Sequence, residues 1–310
     1  SVLGLYMPAL LAAAVWAAAF SPAAVLFATV VARRPVLVVL VFLSAFAWLL
    51  SIALAAALAA ALRAAVPAAG TSVAVVAAAA ALCQEGSRYG MYSAYVLFLR
   101  SLRQLGVAVD TGPPAAHLLS AAVANGVGIW AAYTLVLYGD VLWRSSLPGS
   151  LYSDQCEGLS TFAVDAMSAC GIGLVNVLLS CIGWVAAYPR RSPALAATTV
   201  GLHVAATAAT ALNAGPRGLA KDGCSASLPA LGGAVLLSAA VAAFSTRDGG
   251  AAAARDLGLC SGVVRFKEKD EPLLSSQSRA HRSSAPLDEP PPEETTRQRL
   301  NRPSAAASGD

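Results

Sequence analysis

The chain has 310 residues, 57% of them hydrophobic and 12% charged, with a net charge of +4. Soluble domains carry roughly 25% charged residues, so the composition excludes an ordinary soluble domain and points to a membrane. The positive balance is small and scattered, forms no basic stripe, and excludes nucleic acid as a partner.

Seven apolar stretches of spanning length follow one another, at about 2–31, 36–62, 72–99, 115–138, 159–188, 194–213 and 227–244. They predict an all-α polytopic membrane protein. The first run has no basic flank and no small-residue cleavage site, so it reads as a retained span and not a signal peptide. Pro22 lies inside it and should kink the helix.

The third run holds full charges where a bilayer tolerates few. It carries Gln84-Glu85-Gly86-Ser87-Arg88. Charge at membrane depth marks function by default. Glu85 and Arg88 are three apart, so on a helix they share a face and can neutralise one another. In the fourth run Ala124, Gly128 and Ala132 recur every four residues, a small-residue stripe that lets another helix approach closely. The fifth run carries Asn176 and the sixth His203. From the cytosolic ends of their runs, Glu85, Asn176 and His203 lie roughly 22, 21 and 14 Å deep at 1.5 Å per residue, close enough to share one polar pocket. A neutral histidine satisfied by one hydrogen bond, with no ligand, is the plainer reading of His203. Asn176 allows the same.

Beyond residue 246 the composition turns to Ser, Arg, Ala and a run of Pro and Glu. Residues 1–246 therefore form the seven-helix domain and 247–310 a disordered cytosolic tail. Arg33, Arg34, Arg100, Arg103, Arg190 and Arg191 fall in odd-numbered loops, against Arg63, Arg144, Arg217 and Lys221 in even ones. The positive-inside rule then puts the C-terminus in the cytosol and the N-terminus on the lumenal side. Cys83, Cys170 and Cys181 lie within spans. Cys156 and Cys224 fall in loops expected on the lumenal side, where oxidation is permitted, and both a disulfide and two free thiols fit the sequence. No metal-binding cysteine spacing is present, and no metal or cofactor is expected.

Several stretches resemble the anterior pharynx-defective family, the scaffold subunit of gamma-secretase. The first span has Phe20-Ser21-Pro22-Ala23 followed by Leu26-Phe27. The second has Ala45-Phe46-Ala47-Trp48-Leu49-Leu50-Ser51. The third has Gln84-Glu85-x-x-Arg88-Tyr89-x-x-Tyr92, and the sixth Gly201-Leu202-His203 with Leu212-Asn213 ten residues past the histidine. The resemblance covers about residues 15–245. Two departures stand out: Ala124 and Ala132 replace family glycines, and Asn176 falls where the family has a histidine.

The resemblance implies a non-catalytic scaffold that binds presenilin, nicastrin and the presenilin enhancer subunit. It also implies passage through the endoplasmic reticulum and Golgi to the plasma membrane, and a part in Notch signalling. Asp165 is the only aspartate near a span interior, so the chain has no aspartate dyad of its own. One alternative is a glutamate-dependent intramembrane protease related to prenyl endopeptidases, with Glu85, His203 and Asn176 as its set. Against it, Gln84-Glu85 offers one carboxylate where those enzymes show two, and Arg88 would occupy it. A seven-span receptor matches in topology only.

Overall fold

The computed structural model describes residues 2–66, 73–105, 114–145, 159–212 and 223–256. By its internal contacts the chain divides into two units, Ser1–Gly262 and Val263–Asp310. The second lies outside the described residues, and the fold described here is that of the first.

Among the described residues of that unit there are seven helical stretches and no β-strand. Helix α1 spans Val2–Leu26 and continues as a wider π-helical turn at Phe27–Val31. Helices α2, α3 and α4 span Pro35–Ala65, Val73–Gln104 and Pro114–Ser145. Helix α5 spans Thr161–Ile182 and runs on through a π-helical turn at Gly183–Ala187 to Tyr188–Arg190. Helices α6 and α7 span Pro193–Ala211 and Gly223–Asp256. At Pro22, where the sequence placed a kink, the backbone is helical, and a π-helical turn begins five residues later. Helix α7 continues through 247–256, which the sequence reading gave to the tail. The rest of the tail, 257–310, lies outside the described residues.

Local chemistry sets several of the ends. Pro35 and Pro193 open α2 and α6 at the first helical position, where a missing N–H loses nothing. Ser160 and Ser192 cap α5 and α6 by accepting from the backbone N–H groups of Ala163 (3.2 Å) and Leu195 (3.4 Å). Between α5 and α6, Arg191 adopts a left-handed backbone (φ 51°), so two long helices reverse through only Arg191 and Ser192.

Six of the helices are long and apolar enough to cross a membrane. Helix α3 falls short in apolarity, not in length: its 32 residues extend roughly 48 Å at 1.5 Å per residue. The charged and polar cluster at 84–88 is what lowers its hydropathy.

Burial separates centre from periphery. Within the apolar segments, 78% of α5 and 61% of α4 is buried, against 22–33% of α1, α2, α6 and α7. Helices α4 and α5 therefore form the core pair. Helix α2 packs on α4, α7 and α1 on α5, and α3 bridges α2 and α6. Trp130 of α4 and Trp184 of α5 are fully enclosed. The outer faces carry Phe42, Leu236 and Phe244, each at least 70% exposed, which suits lipid and would be a liability in water.

Close approach comes from small residues, as helix association in lipid requires. A Cβ added to Gly128 would fall on the Val41 carbonyl oxygen and lie 2.9 Å from Ser44 Cβ, so the backbones of α2 and α4 nearly touch there. Ala124 and Ala132, one turn to either side, are also buried. Gly173 of α5 gives the matching space to the Trp130 indole.

Candidate polar site within the bundle

The buried face of α3 reads Ala81, Glu85, Arg88, Tyr92, Tyr95, Leu99, spaced four and three residues apart in turn. This is the stripe that any packed helix buries. Two of these positions, Glu85 and Arg88, are charged, so the fold must provide for those charges internally.

It does so within α3 and from two neighbouring helices, α5 and α6. The Arg88 guanidinium, 1% exposed, donates through Nη1 to Glu85 Oε1 one turn earlier. Its Nη2 donates to Asn176 Oδ1 of α5 at 2.7 Å, and its Nε to Ser180 Oγ of α5 at 3.1 Å. From α6, His203 Nδ1 lies 2.8 Å from the same Glu85 Oε1. An ionised carboxylate only accepts, so with Glu85 charged the proton of that bond sits on Nδ1. With His203 neutral, Glu85 and Arg88 cancel and the cluster carries no net charge. Asn176 Nδ2 donates to the Ile172 carbonyl at 3.0 Å, one turn back on α5. Glu85 Oε2 is buried without a hydrogen-bond partner.

Residues 84 and 85 serve different interfaces because consecutive helical side chains diverge by about 100°. Glu85 faces α5 and α6. Gln84, half-buried, faces α2 and accepts from Trp48 Nε1 at 3.2 Å, while Ser87 Oγ donates to the Ala47 carbonyl at 3.2 Å.

The sequence singled out Gln84, Glu85, Arg88, Asn176 and His203. The structure gathers Glu85, Arg88, Asn176 and His203 into one hydrogen-bonded cluster and sets Gln84 on its flank. It also adds residues the sequence reading passed over. Asn125 of α4, fully buried, donates through Nδ2 to Ser180 Oγ at 3.0 Å and accepts from Ser44 Oγ of α2 at 3.0 Å. Asn125 sits inside the small-residue stripe, between Ala124 and Gly128, and is the signal that could have been read. Ser44 and Ser180 gave none, because buried serines in membrane helices usually bond their own backbone.

A cleft of about 640 Å³ reaches this cluster from the α5–α6 turn. Its lining includes Glu85, Tyr89, Tyr92, Tyr188, Arg100 and Arg191. Asp165, half-buried on α5, is the one aspartate among the described side chains. Cys83, Cys170 and Cys181 carry free thiols. Cys224 is disulfide-bonded, and Cys156, which the sequence left open as a partner, lies outside the described residues.

Compared with known protein families, the chain matches the family described as Aph-1 protein over residues 10–248. Among curated proteins none matches.

Proposed function

Since the chain belongs to the Aph-1 family, which implies a gamma-secretase component, we propose that it is the complex's non-catalytic membrane scaffold. In this reading it holds presenilin, nicastrin and the presenilin enhancer subunit together while presenilin carries out the intramembrane proteolysis. The chain crosses the membrane seven times, with α3 as the seventh span, the N-terminus lumenal and the C-terminus cytosolic. It matures through the endoplasmic reticulum and Golgi to the plasma membrane, and Notch-type single-span proteins are among the substrates of the assembled enzyme.

The observation that carries the reading is how Glu85 is held. Its Oε1 accepts from both Arg88 and His203, and Asn176 spends both ends of its amide on Arg88 and the Ile172 carbonyl. Groups committed to one another across α3, α5 and α6 fix the relative positions of helices. Affinity purification in mild detergent tests the proposal: presenilin and nicastrin should co-purify with the chain. Their absence from a well-folded preparation overturns it.

One observation favours a second reading. Glu85, His203 and Asn176 do converge from three helices, and Glu85 also lines a cleft, as a glutamate-dependent intramembrane protease would require. Cleavage of a prenylated peptide by the purified chain, abolished by Glu85→Gln, would establish that activity.

A further inference from the structure

The Ser180 hydroxyl decides the direction of every hydrogen bond around it. A serine has one proton to give and two lone pairs. Ser180 Oγ donates to the Asn176 carbonyl at 2.8 Å, so its single proton is used. It must then accept from both of its other partners, Arg88 Nε at 3.1 Å and Asn125 Nδ2 at 3.0 Å. The amide of Asn125 therefore has one permitted orientation. Its NH2 faces α5, because a reversed amide would set two oxygens against each other with no proton between them. Its Oδ1 faces α2 and takes the proton of Ser44 Oγ at 3.0 Å. Ser44, Asn125 and Ser180 are each at most 1% exposed, so no solvent competes for these bonds.

The other end of the chain of bonds is the helix contact at Gly128. Asn125 and Gly128 are three apart on α4, and both meet Ser44 of α2. A Cβ on Gly128 would lie 2.9 Å from Ser44 Cβ, so the absence of one at this position allows Ser44 to reach Asn125. Two features that look separate in the sequence, the small-residue stripe of α4 and the charged pair of α3, are thus joined.

We infer that Asn125 is a positioning residue: by donating to Ser180 it helps fix where that hydroxyl sits, Ser180 in turn receives Arg88 Nε, and through Arg88 and Glu85 the α2–α4 contact is tied to His203 of α6. The relay runs Ser44, Asn125, Ser180, Arg88, Glu85, His203 and spans five helices. Every group in it belongs to this chain, so the inference stands apart from the scaffold reading and is tested without partners.

The experiment is nitrogen NMR of the full chain in detergent, labelled at histidine. The chain has three histidines, and His203→Gln assigns the His203 line. Asn125→Leu removes the amide at similar volume. It should shift the ring-nitrogen resonances of His203, which Asn125 does not touch. Ser44→Ala, at the far end, should shift them in the same sense by less, and it serves alone if Asn125→Leu does not fold. Val127→Ala is the control: Val127 is buried on the same helix and outside the relay, so its loss disturbs packing and should leave the His203 line in place. Folded relay variants with an unmoved His203 line overturn the inference. So does an equal shift in Val127→Ala.

Discussion

Removing Glu85 should be worse than removing Glu85 and Arg88 together. Glu85→Leu strands a guanidinium that is 1% exposed. Arg88 keeps Asn176 and Ser180 as acceptors at 2.7 and 3.1 Å, but both are neutral and neither balances its charge. Breaking one side of a buried pair costs about 3–5 kcal/mol, because a guanidinium cannot shed its proton to escape. The double replacement Glu85→Leu with Arg88→Met removes both charges. What remains is the Asn176 Oδ1 acceptor without its donor, an unsatisfied group worth about 1–3 kcal/mol. Ser180 keeps its bonds to Asn176 and Asn125, and His203 loses Glu85 in both variants, so those terms cancel in the comparison. The single variant should be the less stable by about 2 kcal/mol, or roughly thirtyfold in the folding equilibrium. Arg88→Met alone should be milder than Glu85→Leu, since a stranded carboxyl can take up a proton and stay bonded to His203. Equilibrium unfolding of the purified chain in mild detergent measures all three. Equal stability of the single and double variants would refute the claim that Glu85 and Arg88 act as a buried pair.

Other replacements separate packing from polarity. Gly128→Ala should lower stability by about 1–3 kcal/mol, the usual cost of overpacking, and Gly128→Leu should prevent folding, both read from thermal unfolding. The alanines at 124 and 132 do not license an alanine at 128, because only there would a Cβ strike the backbone of α2. Asn176→Leu and His203→Ala each remove a hydrogen bond to a charged group, to Arg88 and to Glu85 in turn, and each should cost about 1.5–3 kcal/mol; the same unfolding assay measures both. Truncation after Asp256 should leave the yield of co-purified partners unchanged, since the family match ends at residue 248.

The helices were legible because lipid leaves few options. A run of about 20 apolar residues must form a helix to satisfy its own backbone, and each of the seven runs does. The charged cluster was legible for the complementary reason: Glu85 and Arg88 contradict their surroundings, and helical spacing alone puts them on one face. Depth counting from the cytosolic ends of the runs brought Asn176 and His203 within reach of Glu85, but did not show which atoms would meet. The π-helical turn that ends α1 was not legible. The widened turn falls at Phe27–Val31, in a segment with neither proline nor glycine, where nothing local marks it.

Asn125 was hidden by its neighbours. Between Ala124 and Gly128 a reader sees a packing stripe, and a packing stripe predicts an apolar seam. The seam instead carries one amide whose two ends must both be met by other helices. Close approach makes this feasible. Where a glycine lets backbones nearly touch, even a serine side chain is long enough to cross the gap. Small residues in this bundle therefore do two things at once: they admit the neighbouring helix, and they bring short polar side chains within bonding range. A bundle built from bulky side chains would keep its helices too far apart for Ser44 to reach Asn125, and the hydroxyl would turn back to its own backbone. The placement of the charged pair in α3 thus depends on the absence of a methyl group in α4. That dependence is a property of the folded arrangement, and no spacing rule within a single helix contains it.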